Sequence, residues 1–277
     1  EMRRYLLVLI ALVLAACGGG SGGGGNASAG CPADGCSVEA TSDVAYVDAE
    51  IRTHRKPLFD VYAPAEEGPW PVVVIAPGTG SGKGYAHDWA TAMASQGVVV
   101  FAVEYEIGAP QTPLPHLNCA ARYVRDVADD YGGDPSHVTL LGYSLGANFG
   151  APVSLGVDEL PPTCLASEDA AIPDAFVGYE GFYGVGNEYL AEEATSRGWP
   201  DATTLVGGNP DLVVRLIHGG LSEDPVSTSE EFAQILTDAG YDVEFTVVEG
   251  AAHTGVGSAD SPAFDVIVDT TLDVAGG

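Results

Sequence analysis

Short apolar runs rich in β-branched residues recur along the chain at 72–76, 98–105, 138–142, 175–179, 213–218 and 243–248, and each is short enough to be a strand. Between them, 85–96, 118–131, 227–239 and a closing segment from Pro262 carry apolar residues at helical spacing. Near-continuous apolar strands alternating with helices predict an α/β fold built on a mostly parallel sheet, with helices on both faces. Ahead of this pattern, β-branched and aromatic stretches at 44–51 and 58–63 flank a polar turn at 53–56, which predicts an opening antiparallel hairpin. No internal repeat is apparent. The stretch 184–211 holds at most one short helix, at 188–196, so any lid over the sheet is small.

The first residues follow a different pattern. Arg3 and Arg4 precede an apolar run over 5–16, which suits the core of a signal peptide and falls short of the roughly 20 residues needed to span a bilayer. The run ends Leu14-Ala15-Ala16-Cys17, which resembles the bacterial lipobox and implies a lipid on the Cys17 thiol. Behind it, 18–30 is almost entirely Gly, Ser, Ala and Asn, a flexible coil suited to a tether. The expected organisation is therefore a leader at 1–17, a tether at 18–42 and one folded domain at 43–277, held outside the cytoplasm on a bacterial membrane. With Cys17 lipidated, four cysteines remain, an even number that suggests bridges in such a compartment: Cys31 with Cys36 and Cys119 with Cys164. Spacing alone does not prove that pairing. A structural metal site is disfavoured, because paired C-x2-C spacing and neighbouring histidines are missing.

Composition narrows the function. A chain that is 46% hydrophobic can bury a sizeable core. Its 39 acidic against 10 basic residues give a net charge of -29, which repels phosphate backbones and makes nucleic acid an unsuitable partner.

The chemistry centres on Gly142-Tyr143-Ser144-Leu145-Gly146, a G-x-S-x-G motif placed between a predicted strand and a segment that can begin a helix. Small residues two before and two after the serine allow the sharp, strained turn that presents a nucleophile. A serine hydroxyl needs an imidazole to take its proton and a carboxylate to hold that imidazole in the right tautomer. Of six histidines, only His253 follows the last predicted strand, where a loop can bring it back over the sheet edge, so it is the expected base. His218, at the end of a strand, reads as a structural residue. The acid is expected on the loop after 213–218, which offers Glu223 and Asp224 side by side; Asp224 is preferred.

These residues resemble the α/β-hydrolases, and among them the small bacterial carboxylesterases of the acetyl-xylan and feruloyl esterase type. The likeness runs from Val44 onward. It rests on the elbow itself, on Leu58-Phe59-Asp60-Val61-Tyr62-Ala63-Pro64, on Tyr131-Gly132-Gly133-Asp134-Pro135 and on Leu216-Ile217-His218-Gly219. It implies hydrolysis of carboxylic esters, short-chain acyl or polysaccharide-linked, with no metal or organic cofactor. It also implies an oxyanion hole made by the N–H of Leu145 and that of Thr79 or Gly80. Two departures stand out. Pro77-Gly78-Thr79-Gly80 replaces the usual His-Gly-Gly-Gly, and the acid loop lacks the usual spacing of aspartate to valine and proline.

Three other readings compete. Pro77 to Gly84 superficially suggests a phosphate-binding loop, but Pro77 stands where glycine is required and Gly84 where a magnesium-binding hydroxyl is required. A surface lipoprotein can keep the fold without the activity. An amidase or peptidase can use the same triad.

Overall fold

The valine-rich runs form the middle of one eight-stranded sheet. The computed structural model describes residues 30–48, 57–105 and 113–276, apart from 187, 189–191, 193–194, 197 and 199–200. The apolar leader, Cys17, most of the glycine-rich stretch, the turn at 53–56 and most of the helix expected at 188–196 lie outside the described residues.

In chain order the elements are β1 (Val38–Ala45), β2 (Leu58–Pro64), β3 (Trp70–Ala76), α1 (His87–Ser95), β4 (Val99–Glu104), α2 (Pro113–Val127), β5 (Gly133–Tyr143), α3 (Leu145–Ser154), β6 (Ala175–Tyr179), β7 (Val213–Gly219), α4 (Ser227–Asp238), β8 (Asp242–Val248) and α5 (Phe264–Ala275). The strands lie in the order β1-β2-β4-β3-β5-β6-β7-β8. β2 runs antiparallel to both β1 and β4, and all other pairs are parallel.

Strand periodicity divides the core into two layers. Val72, Val74, Phe101, Leu140 and Phe176 point to the side covered by α2, α3 and α4; Val73, Ile75, Val100, Leu141 and Val177 point to the side covered by α1 and α5. Because both faces are covered, these strands are apolar at successive positions rather than at alternate ones. The helix expected at 118–131 begins earlier, at Pro113, and closes in a 3-10 turn over Ala128–Tyr131. Proline is tolerated there because the first turn of a helix leaves its N–H groups without intrahelical partners.

Other expected boundaries also need correction, the strand expected at 138–142 among them, since it runs from Gly133 to Tyr143. The first hairpin strand is Val38–Ala45 rather than 44–51, paired antiparallel with β2. It lies at the sheet edge and is mostly exposed, so it carries no alternation of apolar and polar residues to reveal it. Tyr46 and Val47, whose side chains suggested a strand, are buried beyond its end, and Val47 makes only an isolated antiparallel bridge to Cys164. The folded domain also starts before 43. Residues 30–42 are held by the Cys31–Cys36 disulfide, by the Cys36 N–H donating to the Ser95 carbonyl at 2.7 Å and by β1 itself, so only the earlier part of 18–42 is left for a tether.

The Cys119–Cys164 disulfide joins α2 to the 155–174 connection, with a Cα–Cα distance of 5.6 Å. The same connection is tied to the end of the hairpin by the Asp48 N–H on the Thr163 carbonyl and the Leu165 N–H on the Tyr46 carbonyl. Replacing both Cys119 and Cys164 by serine is expected to lower stability by about 2–4 kcal/mol, since this bridge shortens the unfolded chain across a long loop. Urea denaturation of the oxidised protein and the double variant checks this.

Candidate active site

β5 ends at Tyr143 and α3 begins at Leu145, leaving Ser144 alone in the turn. Its backbone is left-handed in φ, at 54°, with ψ at -118°, a conformation a non-glycine residue adopts only when its surroundings impose it. Three contacts do so. The Ser144 N–H donates to the Tyr179 carbonyl of β6 at 2.8 Å. A Cβ at Gly142 would lie 2.5 Å from the Ala147 Cα, and one at Gly146 would fall onto the Ala76 carbonyl oxygen. The two glycines of the motif are therefore places where backbone meets backbone, and the hydroxyl is pushed out over the carboxyl edge of the sheet.

His253 arrives from the loop after β8. Its Nε2 lies 2.9 Å from the Ser144 Oγ. Carbonyls on either side of its backbone fix the loop: Tyr143 donates its hydroxyl to the His253 carbonyl at 2.8 Å, and Tyr179 to that of Ala252 at 3.0 Å. On the other side of the ring, Nδ1 faces two carboxylates. Asp224 Oδ2 lies 3.1 Å away, and Glu180 Oε2 lies closer still. With carboxylates at Nδ1, the proton of the neutral ring sits there, and Nε2 is left free to accept from the serine hydroxyl.

Glu180 was not anticipated from the sequence. It stands directly after β6, its side chain is 0% exposed, and its φ of 51° turns it toward the ring. The Gly219 N–H donates to its Oε1 at 2.8 Å, and the Ser222 hydroxyl to its Oε2 at 2.7 Å. Asp224, on the expected loop after β7, does reach the histidine but is 29% exposed at its side chain. Its loop is fastened by the Asp224 N–H on the Ser222 Oγ at 3.1 Å and by the His218 ring nitrogen on the Asp224 carbonyl at 3.1 Å. His218 thus has the structural place expected of it. Asp224 does not cap α4, and Glu223 beside it is exposed.

Burial opposes a charged imidazole, but the hydrogen bond to Glu180 and the charges of Glu180 and Asp224 outweigh it, so the His253 pKa is raised above its ordinary value. Burial likewise opposes the Glu180 carboxylate, yet hydrogen bonds from His253, Ser222 and the Gly219 N–H hold its pKa below the usual range. Glu180, Asp224 and His253 also bring donor atoms within 4.8 Å of one another, close enough to receive a metal ion. The Nδ1 nitrogen and the Glu180 oxygens are already committed to the hydrogen bonds just described.

The loop after β3 lies against Ser144: a Cβ at Gly78 would stand 3.1 Å from that of Ser144. Thr79 and Gly80 follow directly and are exposed. As the first residue of α3, Leu145 has an N–H with no intrahelical partner.

The strand order and the strand-serine-helix turn give this chain the α/β-hydrolase fold. A family model described as BD-FAE matches residues 59–164. Among solved structures, the chain is similar to a truncated form of a carbohydrate esterase from gut microbiota, with 21% identity, a TM-score of 0.67, and 90% of this chain and 100% of that one covered. It is also similar to esterase 2 of Thermogutta terrifontis, there phosphorylated by paraoxon, with 22% identity, a TM-score of 0.67, and 83% of this chain and 91% of that one covered. A curated relative is a probable isoprenylcysteine alpha-carbonyl methylesterase of Oryza sativa subsp. japonica, 26% identical over 72% of this chain. The match spans 55% of that relative's length.

Because Glu180 supplies the largest upward contribution to the His253 pKa, Glu180→Gln should lower that pKa, with burial left to dominate. Asp224→Asn should lower it less. The imidazole titration followed by NMR in the three proteins checks the order.

Proposed function

We propose that this chain is a carboxylic ester hydrolase working through an acyl-enzyme on Ser144. One observation carries the reading: a continuous path from the Ser144 Oγ through His253 to the buried Glu180, with Asp224 beside it.

In the first step His253 Nε2 takes the hydroxyl proton as Ser144 Oγ bonds to the ester carbonyl carbon. The negative charge that gathers on the carbonyl oxygen is met by the Leu145 N–H and by that of Thr79 or Gly80. Collapse breaks the bond to the alcohol, which receives the proton from His253. Water then repeats the sequence, giving up a proton to His253 as it attacks the acyl carbon, and Ser144 is released with that proton returned. Glu180 stays ionised throughout and stabilises the imidazolium that forms in both halves. Asp224 adds its charge at the same nitrogen. All proton transfers are completed by residues of the chain.

The substrates we assign are short acyl esters, including those carried on polysaccharide. The similarity to a carbohydrate esterase supports this class, and a stretch at 184–211 that leaves room for only a small lid suits a short acyl group. The Leu14-Ala15-Ala16-Cys17 sequence supports lipid attachment at Cys17, with the following glycine-rich residues as tether and the domain outside the cytoplasm. The two disulfides favour the same compartment, since such bonds persist where the surroundings are oxidising.

Hydrolysis of p-nitrophenyl esters from acetate to palmitate tests the reading. The protein should cleave acetate and butyrate best, and Ser144→Ala should lose at least about 10⁴-fold in kcat. Equal rates for the two proteins would overturn it, and preference for a matched anilide would make the enzyme an amidase. On the acid side, kcat/KM should fall with an apparent pKa above the ordinary histidine value of about 6.5, because the raised pKa of His253 keeps the ring protonated, and unable to accept, to higher pH.

A further inference from the structure

The glycine-rich run after β3 contains one lysine, Lys83, which the failed phosphate-loop reading leaves unexplained. In the structure its Nζ lies 2.5 Å from Asp43 Oδ1 and 2.5 Å from Asp60 Oδ1. The ammonium and the Asp60 carboxylate are largely enclosed, with side-chain exposures of 17% and 16%, while Asp43 closes the cluster from outside at 68%.

The hairpin is shaped to make this cluster. Thr41 pairs with Val61 and Val44 with Phe59, so two residues of β1, Ser42 and Asp43, face the single residue Asp60 of β2. This is a β-bulge, a feature that re-aims side chains and is common beside active sites. Asp43 has a left-handed backbone, with φ of 63°, and its N–H donates to Asp60 Oδ1 at 3.1 Å. Among the described residues, the other non-glycine positions with positive φ are Ser144, Glu180 and Tyr183. Two of these are in the site and the third follows Glu180 by three residues. Strain of this kind persists where neighbouring structure imposes it and gathers at functional sites, which directs attention to Asp43.

The loop between these anchors runs past the nucleophile. At its start, Tyr105 donates its hydroxyl to the Pro77 carbonyl, and Gly78 packs against Ser144. At its end, the Lys83 N–H donates to Glu104 Oε2 at 3.0 Å, and Gly82 packs directly against that carboxylate. Thr79 and Gly80, which offer the second oxyanion donor, lie between. We propose that Lys83, gripped by Asp43 and Asp60, is a charge clamp that positions this loop for catalysis, so that Lys83 is a positioning residue for the hydrolysis of esters. The proposal rests on the ester-hydrolase reading. Burial works against the ammonium, but hydrogen bonds to the two carboxylates outweigh it and keep the clamp charged.

A loop that carries an oxyanion donor matters most when charge develops on oxygen, so loss of the clamp should reduce kcat and leave KM little changed. The test compares the full chain with Lys83→Met on p-nitrophenyl acetate and on an alkyl trifluoromethyl ketone. The ketone is attacked by Ser144 Oγ, the hydroxyl proton passes to His253, and the ketone oxygen becomes an anion in the oxyanion hole. Lys83→Met is expected to lower kcat by about 10 to 100-fold, with KM within about threefold. Affinity for the ketone should fall by the same factor as kcat, a match that general loosening of the fold would not produce. Asp43→Asn, on an exposed side chain that tolerates left-handed backbone, should show the same paired loss at about 3 to 10-fold, and it decides the matter if Lys83→Met does not fold. A folded Lys83→Met with kcat within twofold of the parent, or a fall in kcat without a matching loss of ketone affinity, would overturn the clamp. If the parent protein neither cleaves the ester nor binds the ketone, the ester-hydrolase reading fails and the clamp falls with it.

Discussion

The ring of His253 is held between a hydroxyl and two carboxylates, and much of the sheet's carboxyl edge is arranged around it. Ser144 comes from the end of β5, Glu180 from the end of β6, Asp224 from the loop after β7 and the histidine from the loop after β8. Each partner is useful only if adjacent strands keep their register. The pairing of Tyr143 with Tyr179 across β5 and β6, and of Tyr179 with Ile217 across β6 and β7, supplies that register. A buried carboxylate beside Nδ1 is costly to desolvate on its own. Here the imidazole, a serine hydroxyl and a backbone N–H compensate it. The result is an ion that needs little reorganisation when the imidazole becomes charged.

Backbone strain is concentrated where this arrangement requires it. Ser144 and Glu180 both adopt left-handed conformations at the ends of neighbouring parallel strands, and each is locked by a hydrogen bond to the next strand: the Ser144 N–H to the Tyr179 carbonyl, the Glu180 N–H to that of Ile217. Both turns lie at the strand ends, where open α/β sheets place their ligands. Flush contacts at Gly142 and Gly146 keep the elbow tight, while the stacked rings of Tyr85 and Tyr143, 5.3 Å apart, support it from below.

What the sequence revealed follows the strength of each physical signal. The central strands are buried on both faces and therefore read as unbroken apolar runs, and the elbow needs glycines at fixed offsets from its serine. Chain order pointed to His253 as the histidine that a loop after the last strand can bring back over the sheet edge, and it lies 2.9 Å from the Ser144 hydroxyl. Glu180 was not, because one acidic residue at a strand end resembles any other of the 39 until β6 is placed beside β5 and the histidine loop. A carboxylate just past an apolar strand and followed by glycine, as in Val177-Gly178-Tyr179-Glu180-Gly181, was the available signal. The exposed edge strand β1 carried no apolar periodicity, and the partnership of Lys83 with Asp43 and Asp60 depends on a bulge that no local pattern announces.

The central claim is that Ser144 is a nucleophile activated by His253. Treating the folded protein with a fluorophosphonate and locating the adduct by peptide mass spectrometry tests it most directly. The account predicts one adduct, on the Ser144 hydroxyl, formed rapidly by the parent protein and far more slowly by a folded His253→Ala variant. No adduct on the folded parent, an adduct on another residue, or equal labelling rates in the two proteins would contradict it.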